Sequence, residues 1–191
     1  TSLGALSPTS GRSTNMTTNT KSGSAYVNVV ATEGENVKNT SVLVNVSHGA
    51  LDHFAFDPIS SPQPTGELIA VKITAKDAYN NTVISFNSSA LLSDKSGTIN
   101  PTQSTNFSDG VWSGYIRINN VYTQNTITAT SGLITGSSNQ FDVISNILDH
   151  VVITPSSSNV TVSQTQGFSA QGYDVFGNAI TGLSYTWSVV G

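Results

Sequence analysis

Cysteine is absent from this chain of 191 residues, which excludes a disulfide framework and any thiolate metal site. Charge is scarce too: Asp, Glu, Lys and Arg make up 9% of the residues, against about 25% in an average soluble protein. Seven Lys and Arg against eleven Asp and Glu give a formal charge of −4, so there is no basic footprint for nucleic acid. No apolar run approaches the length of a membrane-spanning helix, about 18 residues. What fills the chain instead is hydroxyl and amide, with 53 Ser plus Thr and 18 Asn. Disordered chains are poor in β-branched and aromatic residues, whereas here Val, Ile, Thr, Phe and Tyr recur in short runs. The composition predicts a folded, all-β protein.

Self-comparison reveals one period. Leu51-Asp52-His53 returns as Leu148-Asp149-His150, a shift of 97, and in the same register Pro58 maps to Pro155, Asp77 to Asp174, Tyr79 to Phe176 and Asn81 to Asn178. Ala129-Thr130-Ser131-Gly132 matches Ala31-Thr32-Glu33-Gly34, and Pro101-Thr102 matches Pro8-Thr9. A fixed period of this kind marks a repeat architecture. The expected division is the C-terminal half of a repeat over 1–46, a complete repeat over 51–146 and the N-terminal half of another over 148–191. Laying Gly191 against Thr1 overlays Trp187-Ser188-Val189-Val190-Gly191 on Ala90-Leu91-Leu92-Ser93-Asp94.

Within the complete repeat, Ile69, Val71, Ile73 and Ala75 alternate with Ala70, Lys72, Thr74 and Lys76, the period of a strand with one face in a core. Phe168, Ala170 and Gly172 repeat the pattern. Further strands are expected at Leu51 to Asp57, Val83 to Leu92, Val111 to Ile118, Thr126 to Thr130 and Ser138 to Ile144, roughly seven per repeat, a count that suits an immunoglobulin-like β-sandwich. The expected fold is therefore tandem immunoglobulin-like sandwich repeats of about 97 residues, one complete and two half units. The links, Ser47 to Ala50 and Ser145-Asn146-Ile147, are too short for independent tumbling and predict a stiff rod.

Lys76-Asp77-Ala78-Tyr79-Asn80-Asn81-Thr82-Val83 and Tyr173-Asp174-Val175-Phe176-Gly177-Asn178-Ala179-Ile180 resemble the D-A-x-G-N-x-V turn of bacterial immunoglobulin-like domains of the intimin and invasin type. Gly132 after Ile127-Thr128-Ala129-Thr130 fits that pattern, and Leu-Asp-His-Phe openings with a Gly-Val-Trp-Ser-Gly segment, as at Gly110 to Gly114, are similar to tandem domains of archaeal and bacterial cell-surface, surface-layer and adhesin proteins. The resemblance implies an extracellular, cell-surface setting. In the first copy Asn80 stands where the turn glycine is expected, which places a positive φ on a residue that tolerates it less easily.

Seven N-x-S/T sequons begin at Asn15, Asn39, Asn45, Asn80, Asn87, Asn106 and Asn159, while Asn100 is disqualified by Pro101. They are candidate N-glycan sites, although a chain this rich in Asn, Ser and Thr generates sequons by composition alone. Asp77 and Asp174 are the repeated acidic pair and the candidate calcium ligands. The competing reading is an Asp that accepts hydrogen bonds from its own turn. Asp57, Asp94 and Asp109 are placed in loops, and His53 and His150 at a strand start or repeat junction, with His48 in a link. Trp112 with Ile116, and Trp187 with Val189, are expected to point inward; the competing reading joins Trp112, Tyr115, Tyr185 and Trp187 in a sugar-stacking platform. No G-x-S-x-G or H-E-x-x-H string occurs, and no catalytic residue or cofactor is assigned.

These features predict a non-catalytic segment of an extracellular filament, surface layer or adhesin stalk. Half a sandwich leaves unpaired backbone groups and an apolar face in water, so head-to-tail strand complementation between copies would join unlike surfaces and propagate. The competing reading of the half units is a cut from a longer array. Two other functions compete: an adhesive module binding a glycan or receptor through loops such as Pro58 to Gly66, and an accessory domain of a secreted enzyme.

Overall fold

The β-branched, alternating runs form strands throughout. A computed structural model describes residues 2–7 and 9–190, so Thr1, Pro8 and Gly191, which enter the repeat comparison, lie outside the described residues. The strands are β1 (Gly4–Ser7), β2 (Asn15–Thr18), β3 (Gly23–Glu33), β4 (Asn36–Val46), β5 (His53–Phe56), β6 (Gln63–Pro64), β7 (Ile69–Lys76), β8 (Leu91–Asp94), β9 (Val111–Ile116), β10 (Tyr122–Asn125), β11 (Ile127–Ser131), β12 (Ile134–Ser137), β13 (Phe141–Ile144), β14 (His150–Thr154), β15 (Ser169–Tyr173) and β16 (Ala179–Ile180). Among the described residues there is no helix. The chain is all-β.

Residues 51–146 form a β-sandwich. One sheet has the order β5-β7-β9. The facing layer is built from β12-β11-β8 and β10-β13-β6. Here β10 and β11 are one bent strand, as are β12 and β13, the bends falling where Ser138 donates its backbone N–H to Ile127 and its hydroxyl accepts from the Ile127 N–H. Joined in this way the segment has seven strands, and β6 pairs in parallel with β13 at Gln63–Val143 and Pro64–Ile144.

The alternation read in β7 is realised: Ile69, Val71, Ile73 and Ala75 are buried, packed with Trp112 and Ile116 of β9, Ile127 and Ala129 of β11, and Phe141 and Val143 of β13. All eighteen residues of this core lie between Phe54 and Val143. One expectation is corrected. Val83 to Leu92 is not a continuous strand, because Phe86 donates its N–H back to Val83 in a turn and its ring packs edge-on against Phe54 and Phe107, with centroids 5.5 and 5.0 Å away. The strand begins only at Leu91.

The two flanking segments reuse these parts. The β3–β4 hairpin pairs Glu33 with Asn36 and Thr32 with Val37, as β11–β12 pairs Ser131 with Ile134 and Thr130 with Thr135. Both close through a two-residue turn with glycine at its first position, Gly34 and Gly132, each at φ 59°, the arrangement of a type II′ turn. In residues 148–190, β14-β15-β16 stands as β5, β7 and the Thr82 bridge to Lys76 stand in the middle segment. Even the turn before β7 recurs. Glu67 N–H bonds Pro64 O with Gly66 at φ 72°, and Gln164 N–H bonds Thr161 O with Ser163 at φ 69°.

The β1–β2 and β3–β4 sheets are two-stranded, and the groove between them is lined by Leu3, Leu6, Met16, Ala25 and Val27. Tyr26, Val29, Val30 and Leu43 are exposed, as are Val151, Val152, Trp187, Val189 and Val190.

Candidate functional site

The repeated Asp-x-x-x-Asn turn carries most of the polar chemistry that is buried. Asp77 and Asp174 are almost wholly buried, 1% and 0% exposed. In the first turn Asp77 Oδ1 accepts from the N–H groups of Tyr79 (2.9 Å) and Asn81 (2.8 Å), and Asn81 Nδ2 donates to Oδ2 (3.0 Å). The second turn matches it bond for bond, from Phe176 N (3.0 Å), Asn178 N (2.9 Å) and Asn178 Nδ2 (3.0 Å) to Asp174. The residue at the tip has positive φ in both, Asn80 at 65° and Gly177 at 82°.

Each turn also holds the segment before it, at two points. The linker donates to the carboxylate: Gly49 N–H reaches Asp77 Oδ2 at 2.7 Å, and Asn146 N–H, at the equivalent position, reaches Asp174 Oδ2 at 3.3 Å. The Asn side chain then spans the gap. Asn81 Nδ2 donates to Thr20 O (2.8 Å) while its Oδ1 accepts from Ser22 N (3.1 Å). Asn178 does the same to Asn119 O (2.7 Å) and Val121 N (3.2 Å). A primary amide has one acceptor and one donor end, so it reads a pair of backbone groups two residues apart and fixes both the distance and the rotation of the adjoining segments.

The second junction has more. Thr65 Oγ1 donates to Asp174 Oδ2 at 2.7 Å, and Asn146 Nδ2 donates to Thr65 O and Glu67 Oε1, both at 3.0 Å. Phe176 lies on Gly66, where an added Cβ would sit 2.2 Å from the ring. Tyr79, its counterpart, is 58% exposed.

Burial raises the carboxyl pKa at both turns, but the convergent donors outweigh it: Asn81, Gly49 and Tyr79 hold Asp77 far below the usual carboxylate range, and Thr65, Asn178 and Asn146 bring Asp174 down to about 2. Asp77 is an anion ringed by N–H groups and Asp174 one ringed by N–H groups and the Thr65 hydroxyl, an arrangement that stabilises the charge without a cation. Among the described residues no three His, Asp or Glu side chains gather as a metal site would need.

The remaining sequence candidates are scattered. Asp57 pairs with Lys72 at 3.1 Å. Asp94, expected in a loop, is instead the last residue of β8, paired with Ile127, and accepts from Thr98 and Ile99 of the loop that follows, and Asp109 holds a positive φ of 49°. His53 and His150 each contact the preceding Asp, Asp52 at 3.0 Å and Asp149 at 2.9 Å, on the surface, and His48 Nδ1 hydrogen-bonds Gly49 O. Trp112 is buried with its indole N–H on Thr105, so it is not part of a surface platform with exposed Tyr115, while the Tyr185 hydroxyl accepts from Gly172 N–H. In the Pro58 to Gly66 loop, Ile59 and Thr65 are buried, β6 is paired to β13 and Gly66 is covered by Phe176. All seven sequon asparagines, Asn15, Asn39, Asn45, Asn80, Asn87, Asn106 and Asn159, are exposed.

Sequence reasoning noticed Asn81 and Asn178 only as repeat markers and passed over Thr65. The signal for the first was present, an Asn four residues after a repeated Asp. A hydroxyl reaching across 109 positions of sequence leaves no local trace.

The chain is thus an all-β protein whose successive segments are joined by a repeated, hydrogen-bonded turn. No family model matches the sequence and no curated protein matches it. Among solved structures it is similar to surface layer protein SbsC: to domains 4-9 with 18% identity and a TM-score of 0.39, covering 87% of this chain and 26% of that one. For domains 1-6 the figures are 17% and 0.38, covering 83% and 20%. The chain spans about a quarter or less of the length of the structures it matches.

Proposed function

We propose that this chain is a non-catalytic structural segment of an extracellular, cell-surface assembly, built from one complete immunoglobulin-like sandwich (51–146) and two complementary halves of another (1–46 and 148–191). The observation that carries the reading is the twice-repeated junction, in which the linker N–H, the buried Asp and the spanning Asn recur in the same positions. Such a joint transmits orientation, and its use is mechanical reach. The exposed sequons fit an extracellular setting, where glycans would shield strand edges that carry little charge. Head-to-tail strand complementation between copies is part of this reading. A contact of this kind joins unlike surfaces and propagates into a filament or layer.

The test is electron microscopy and analytical ultracentrifugation of the 191-residue chain across a concentration series. Growth into linear particles one repeat wide supports the reading, whereas a monomer that persists at high concentration removes self-completion.

A further inference from the structure

One edge of the complete sandwich carries a gap in its hydrogen bonding. Along the β7–β9 ladder the bonded pairs fall at the odd positions of β7: Ala75 N–H donates to Gly110 O, and Ile73–Trp112, Val71–Gly114 and Ile69–Ile116 follow in the same register. The N–H and C=O groups of Val111, Ser113, Tyr115 and Arg117 therefore point the other way, out of the sheet edge. Val111 is closed by Ser108 and Arg117 by Asn100, each through reciprocal backbone bonds. Ser113 and Tyr115, both exposed, have no backbone partner on that side among the described residues. The segment that would cover them turns aside. After Asn100 it leaves β9 and bonds the β8 side instead, Leu92 N–H to Thr102 O and Ser104 N–H to Ala90 O, and a groove opens between it and β9.

We propose that this window is a docking site for a short, uncharged, extended peptide segment of another protein, which adds antiparallel to β9 across Ser113–Tyr115. In that orientation the residues opposite Ser113 and Tyr115 each exchange two bonds with β9, so a tripeptide meets every open group. The closed ends decide the occupant. Asn100 and Ser108 fill the neighbouring strand position on either side, so if two β9 edges paired about Gly114, Asn100 of one copy would fall on Val111 of the other. Only a free segment enters. The groove side chains, among them Pro101, Gln103, Thr105 and Trp112, are all uncharged, and a charge brought there would lose water without gaining a partner. Parity sets the side chains. The central residue faces the Trp112 ring, which lies beneath Gly114 so closely that an added Cβ there would stand 2.4 Å from it, and it is therefore apolar. The outer two lie beside Ser113 and Tyr115. All of these residues belong to 51–146, so the site is independent of the assembly proposed above.

The probe is the peptide acetyl-Thr-Val-Thr-amide, titrated into the isotope-labelled 191-residue chain and followed by amide NMR. The Ser113 and Tyr115 signals are expected to move and their hydrogen exchange to slow. N-methylation of both threonines, whose N–H groups donate to β9, should weaken binding about tenfold or more. N-methylation of the valine, whose N–H points away from β9, should change it by about twofold at most. Ser113→Pro, at an edge position where proline is tolerated, should abolish the response at Tyr115 while circular dichroism stays that of the parent; if that variant misfolds, the methylated peptides still decide. No movement at Ser113 and Tyr115 up to the peptide's solubility limit, or an equal loss from every methylated peptide, would overturn the site. So would slow exchange at these amides in the free chain that dilution relieves, which would assign the edge to a second copy.

Discussion

Leu92 in the middle segment is 3% exposed, and Val189, which repeats it, is 99% exposed; Ile127 is wholly buried, and Val29, which repeats it, is 57% exposed. The side chains are of one kind and so is the local pattern. What differs is the neighbour: Leu92 and Ile127 belong to the core cluster between Phe54 and Val143, and Val29 and Val189 lie outside it. Burial here is a property of having the complementary strands, since apolar surface gains only when another apolar surface covers it. The same contrast separates the two junctions. Asp174 and Phe176 dock on Thr65 and Gly66, while Asp77 and Tyr79 share the turn and the clamp and Tyr79 is 58% exposed.

The largest test of this contrast is a pair of tryptophans. Trp112→Ala should cost about 3–5 kcal/mol of unfolding free energy, as truncation of a core aromatic does, measured by urea denaturation. Trp187→Ala should leave the dilute chain's midpoint almost unchanged and instead raise the concentration at which particles appear. An equal loss of stability from both would erase the distinction between closed and open segments.

Next come the clamps. Asn178→Ala and Asn81→Ala each remove bonds to two backbone groups, worth about 1–3 kcal/mol at the junction, and should speed proteolysis within 145–149 and 47–50 respectively. Small-angle scattering of each variant should show a wider spread of shapes.

The acid response follows from the two buried carboxylates. Their folded pKa values are depressed, Asp174 to about 2 and Asp77 also downward, so the stabilisation is complete above the unfolded value of about 3.9 and is lost as pH falls from there toward 2. Thermal melts between pH 5 and pH 2 should show the decline, and Asp174→Asn should flatten part of it. A smaller gain, up to about 1 kcal/mol, is expected from Asn80→Gly, which relieves the positive φ at that tip; chemical denaturation measures it. Least of all, calcium or EDTA should leave the melting temperature unmoved, since hydrogen-bond donors already surround both carboxylates. A shift with calcium would restore the metal reading of Asp77 and Asp174.

Much of the fold was legible in the chain. The alternation of Ile69 to Lys76 placed β7 and its buried face, and the 97-residue offset aligned the turns, the linkers and the two histidines. Val83 to Leu92 misled because its apolar residues serve a turn and an aromatic cluster, where periodicity has no meaning. The Asp turn was legible as a turn, since Asx side chains bond their own backbone. Its reach to Thr20 and Ser22, or to Asn119 and Val121, was not, because contacts between segments depend on how two folded surfaces meet.

The parallel pairing of β6 with β13 has a consequence for load. These strands lie near the points where the chain enters and leaves the sandwich, so tension applied along a string of such units pulls Gln63–Pro64 and Val143–Ile144 past each other in opposite directions. Their bonds are then sheared side by side and must fail together, whereas the ends of a hairpin would peel one bond at a time. In such a string, a short patch of parallel strand would resist stretching where a hairpin would begin to unravel.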